Sequence, residues 1–100
     1  MQYVQNTENV NITATGSTAG VALASNPARV YFQIQNVGTN PIYMAWGATA
    51  SSGNCNQVLK ADTGALAGAG GIYQSGTVVY TGTVAVGGTA ATYIATELAP

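Results

Sequence analysis

Histidine is absent from this chain of 100 residues, and only five in a hundred of its side chains are charged, against about 25% in an ordinary soluble domain. The first absence removes the commonest general base and metal ligand. The second removes the clustered cations that phosphate binding requires, since Arg29 and Lys60 are the only two and lie far apart in sequence. No nucleic acid partner is expected. No run approaches the ~20 consecutive apolar residues that span a bilayer, so no membrane partner is expected either. Met1 to Val10 shows neither a basic nor an apolar region of signal-peptide type, which points to synthesis in a cytoplasm. Asn11-Ile12-Thr13 matches a glycosylation sequon, and without a secretory signal it reads as coincidence.

The sparse reactive groups form no constellation. Glu8, Asp62 and Glu97 are the only carboxylates and fall on separate segments, where they read as solvated or loop-anchoring groups and not as an acid and base pair. Cys55, the single cysteine, sits in polar Ser51-Ser-Gly-Asn-Cys-Asn56 with no histidine to activate it, so a free thiol is expected, with an intersubunit disulfide as the alternative. Gly68-Ala-Gly-Gly71 lacks the Lys-Ser/Thr that completes a phosphate loop. No catalytic residue, cofactor site or metal site is assigned, and the chain reads as no enzyme.

What the chain does contain is strand pattern. Hydrophobic residues make up 47% of it, too many for a disordered linker. A hundred residues can bury roughly 65% of the surface the unfolded chain exposes, enough for a single core. Across Arg29 to Gly47, Val30, Phe32 and Ile34 alternate with Arg29, Tyr31, Gln33 and Gln35, and the apolar side resumes at Ile42, Met44 and Trp46. The period of two predicts a buried β-hairpin with Val37 to Pro41 as its loop, Phe32 and Trp46 in the core and Arg29 on the polar side.

Further strands are expected at Tyr3 to Thr13, Val21 to Ala24, Gln57 to Ala61, Ile72 to Gln74, Thr77 to Val86 and Thr92 to Leu98, with Gly82 as a bulge and Gly87-Gly88 as a hairpin turn. Asp62 to Gly71 reads as a glycine-rich surface loop directed outward. No window carries a helical stripe. The expected fold is all-β, a single-domain antiparallel β-sandwich of jelly-roll type over residues 1–100, with 1–13 either an N-terminal arm or the first strand. Of the tyrosines, Tyr3, Tyr31 and Tyr43 are the interface candidates, because an amphipathic ring opposite the apolar side of a strand suits a contact surface.

The run from Arg29 through Ile34, Asn36, Gly38 and Pro41-Ile-Tyr43, followed by Gln57-Val-Leu-Lys-Ala61, by Gly70-Gly-Ile-Tyr-Gln-Ser-Gly-Thr-Val-Val-Tyr-Thr-Gly82 and by Ala91-Thr-Tyr-Ile-Ala-Thr-Glu-Leu98, resembles the small accessory virion proteins of tailed bacteriophages. The likeness covers about Arg29 to Leu98, and its motifs are structural. It implies a non-enzymatic β-sandwich on the virion surface. The leading expectation is a capsid decoration or cement protein whose partner is the major capsid protein and which forms a homo-oligomer, a trimer around a symmetry axis. The alternative is a host-attachment knob or fibre tip that recognises glycans through its tyrosines and the Asp62 to Gly71 loop.

Overall fold

The computed structural model describes residues 10–14 in their backbone and residues 20–64 and 67–99 in full. Among the described residues there are eight strands: β1 (Val10–Ala14), β2 (Gly20–Leu23), β3 (Tyr31–Asn36), β4 (Ile42–Trp46), β5 (Gln57–Leu59), β6 (Ile72–Gln74), β7 (Val84–Gly87) and β8 (Tyr93–Leu98). They form two four-stranded sheets, ordered β1-β8-β3-β6 and β2-β7-β4-β5. Every pairing is antiparallel, and no helix occurs among the described residues. None is therefore available to cross a membrane. The fold is an all-β single domain in two layers, as expected. The structure places Tyr3 and Glu8, and with them most of the segment read as arm or first strand, outside the described residues.

The core lies between the layers. Phe32 and Ile34 of β3, Ile42 and Met44 of β4 and Val84 of β7 have no exposed surface, and Leu23, Leu59, Val86 and Tyr93 pack with them. Burial of this apolar surface is the main force holding the sheets together, at roughly 25 cal/mol per Å². Alternation therefore identified Phe32, Ile34, Ile42 and Met44 as inward residues correctly. It did not identify their partners.

β3 and β4 do not form a hairpin. They belong to different sheets and face each other across the core, with β8 and β6 beside β3 and with β7 and β5 beside β4. The period of two fixes which side of a strand is apolar, and that side looks the same whether the next strand lies alongside or opposite. The intervening loop crosses between layers about 10 Å apart. It is held there by Val37 N–H on the Thr92 carbonyl at 3.0 Å and by Asp62 N–H on the Gly38 carbonyl at 2.7 Å.

The same correction applies at Gly87-Gly88, where β7 and β8 also part to different sheets. Gly88 takes φ +132°, and a Cβ there would meet the Pro41 carbonyl at 2.7 Å. The long strand expected over Thr77 to Val86 is ordered as a strand only from Val84. Residues 80–83 instead offer their carbonyls to the Arg29 side chain and to the Asn26 and Gly47 N–H groups. Gly82 is accordingly a loop residue and not a bulge. The irregularity in strand register falls between Val21 and Leu23.

Candidate functional site

Three of the four charged side chains described, Arg29, Asp62 and Glu97, are spent inside the protein. Arg29 is 3% exposed and Glu97 5%, and Arg29 Nε donates to Glu97 Oε1 at 2.7 Å. The same guanidinium donates through Nη1 to the Tyr80 and Gly82 carbonyls at 2.8 and 3.0 Å and through Nη2 to the Ala24 carbonyl at 2.7 Å. Its carbon also lies 5.2 Å from the Phe32 ring centroid, within cation–π range. Simple alternation put Arg29 on the outer face, but this residue precedes β3. The turn before it, in which Arg29 N–H donates to the Asn26 carbonyl at 3.0 Å, leads the side chain in beneath β8. One arginine thus ties together the β2–β3 loop, the β6–β7 loop and β8 at one end of the sandwich. The fork of five donors suits it to this task.

The opposite end is tied by Asn36 and Asp62. Asn36 is fully buried. Its Nδ2 donates to the Asn40 and Leu59 carbonyls at 2.8 and 3.1 Å, and its Oδ1 accepts from Gly38 N–H at 2.9 Å. The Asp62 carboxylate accepts from the N–H groups of Thr63, Gly68 and Ala69 at 2.7, 3.0 and 3.1 Å. Desolvation by burial pushes this carboxyl up, but the backbone N–H groups of Ala69, Gly68, Thr63 and Gly64 together outweigh it and hold it below its ordinary value. The loop after Asp62 is therefore clamped to its own carboxylate. A Cβ on Gly70 would overlap the Asn36 carbonyl oxygen, so this glycine is needed for the close approach. Asp62 and Glu97 anchor opposite ends of the sandwich and do not form a carboxylate pair.

With Arg29, Glu97 and Asp62 buried, Lys60 is the one exposed ionised side chain among the described residues. Apart from Lys60, the side chains described on the two outer faces are uncharged. On the first sheet, Tyr31, Gln33 and Gln35 of β3 are half-buried beside Leu98, Thr96 and Ile94 of β8, their register partners. Tyr31 donates its hydroxyl proton to Gln33 Oε1 at 2.7 Å, and Gln74 Nε2 donates to the Tyr31 hydroxyl at 3.2 Å. On the second sheet, Tyr43 lies between Gly87 of β7 and Val58 of β5. Val58 is 57% exposed and Val21, at one edge of the same sheet, is 51% exposed.

Tyr31 and Tyr43 therefore lie on opposite faces of the molecule. The expected single tyrosine surface across a hairpin is divided between the two sheets, because the hairpin itself is divided.

At the Arg29 end, Trp46, Tyr73 and Tyr80 are partly buried around Phe32. Trp46 lies edge-on to Phe32 at 5.8 Å and to Tyr73 at 5.2 Å, with Tyr80 tilted against it at 5.1 Å. Trp46 thus borders the core instead of filling it, while Tyr93 of β8 is buried. Burial pushes the Tyr93 hydroxyl above its ordinary value.

Cys55 is a half-buried free thiol. No group of three His, Cys, Asp or Glu that could hold a metal ion occurs among the described residues. A shallow cleft of about 220 Å³ opens on the second sheet, lined by Gly20, Ala48, Thr49, Ala50 and Val86. These groups offer methyls, one hydroxyl and backbone. No protein-family model matches this chain, and comparison with curated proteins and with solved structures likewise gives no match.

Proposed function

We propose that this chain is a non-enzymatic structural protein of a bacteriophage virion, a capsid decoration or cement protein that binds the major capsid lattice and acts there as a homo-oligomer. The observation that carries the reading is the placement of charge. Every described ionised group except Lys60 is turned inward to fasten loops, so that the other side chains described on the two outer faces are neutral. Such a surface makes contacts by shape, apolar burial and amide hydrogen bonds. It gains strength from copy number more than from any single contact. The resemblance of Arg29 to Leu98 to accessory virion proteins supports the same assignment.

The strand order also supports a jelly-roll reading of the sandwich. β1 pairs with β8, β2 with β7, β3 with β6 and β4 with β5, the ladder of one long hairpin. Rolling that hairpin so that β3 also meets β8 and β4 also meets β7 gives the two observed sheets. A closed ring about a capsid symmetry axis favours a trimer.

The test is a particle assembled without this chain. It should form, lose its genome at a lower temperature than the complete particle and attach to cells normally, and reconstruction of the complete particle should place the chain on the capsid lattice. Normal heat stability together with defective attachment would overturn the reading in favour of a second one. In that reading the chain is a host-attachment tip binding glycans, and the half-buried Trp46, Tyr73 and Tyr80 rings are the feature that favours it.

A further inference from the structure

We draw no further inference here: the strongest candidate, the outer face of the first sheet, where Tyr31, Gln33 and Gln35 of β3 lie beside Leu98, Thr96 and Ile94 of β8, carries nothing because the structure does not show what covers it.

Discussion

Arg29 and Glu97 stand 68 positions apart in sequence and meet in a buried ion pair of 2.7 Å. Glu97 sits on β8 at a position whose register partner is Phe32, so the pair lies at the margin of the apolar core. Removing either member takes this ion pair from the buried charge that remains. Arg29→Met and Glu97→Gln should each cost about 3–5 kcal/mol in urea unfolding, a large share of the stability of a domain of this size. The double variant Arg29→Met, Glu97→Leu should recover part of that loss. Recovery will stop short of wild type because the Ala24, Tyr80 and Gly82 carbonyls lose their donor. A double variant as unstable as the sum of the singles would show that the two residues act independently.

Phe32 and Trp46 touch edge to face at 5.8 Å, yet their surroundings differ. Phe32 has no exposed surface, and Phe32→Ala should cost ~3–5 kcal/mol. Part of the Trp46 ring already contacts water, so Trp46→Ala should cost less, about 2 kcal/mol on the area it does bury. Acrylamide should quench Trp46 emission in the folded protein to a degree between that of a buried and a free indole. Complete protection would place the ring inside the core.

The sequence made the inward residues legible and left the pairing unread. Phe32, Ile34, Ile42 and Met44 could be picked out because a strand's side chains alternate regardless of neighbours. Whether β3 meets β4 or β8 depends on contacts between residues far apart, and Val37 to Pro41 has the composition of a hairpin turn in either case. Arg29 was placed on the wrong side because alternation was extended past the start of β3. A signal was available: in a chain with two cations and three carboxylates, an arginine beginning one strand and a glutamate near the end of another invite pairing. Asp62 was legible as a loop anchor, since glycines with free N–H groups follow it. The loop that carries Val78 was hidden inside a segment whose composition reads as strand, and only the carbonyl partners of residues 80–83 show why it is loop.

The Asp62 clamp makes the following loop acid-sensitive. Its carboxyl is held below the ordinary value in the folded protein, so the folded state favours the ionised form. That contribution is complete above the unfolded value of about 3.9 and is lost as the pH falls through the folded value. Proteolysis or amide exchange at residues 63–64 and 67–71 should therefore be slow at pH 7 and rise below about pH 4. Asp62→Asn, with a weaker acceptor and no ionisation, should show faster exchange at pH 7 and little change with acid. Acid-dependent opening that persists in Asp62→Asn would assign the effect to another group.

Gly70 allows the clamped loop to pass over β3, where a side chain would strike the Asn36 carbonyl oxygen. Gly70→Ala has no flexible neighbour to displace, because the obstacle is backbone and Asn36 is held by its own side-chain bonds to the Asn40 and Leu59 carbonyls. The substitution should cost about 1–3 kcal/mol, the usual range for overpacking. Gly53, with open space around the site of its Cβ, is the control, and Gly53→Ala should change stability by less than about 0.5 kcal/mol. Equal effects from the two would show that the loop moves freely away from β3.

Tyr31 and Tyr43 project from opposite sheets, so they cannot serve one flat contact with a single partner surface. If a capsid lattice covers the first sheet, Tyr31→Ala should weaken particle binding by about 2 kcal/mol, close to thirtyfold, and Tyr43→Ala should leave it within experimental error. If it covers the second sheet, the two results exchange. Raising the salt concentration from 50 to 500 mM should change either affinity by less than about twofold, because Lys60 is the one exposed ionised side chain among the described residues. Equal losses from both substitutions would require the partner to grip the sandwich from both sides, with the chain wedged between capsid subunits instead of lying on them. The double variant distinguishes that case: losses at separate contacts add, whereas a chain bound through one face loses no more than its single effective variant.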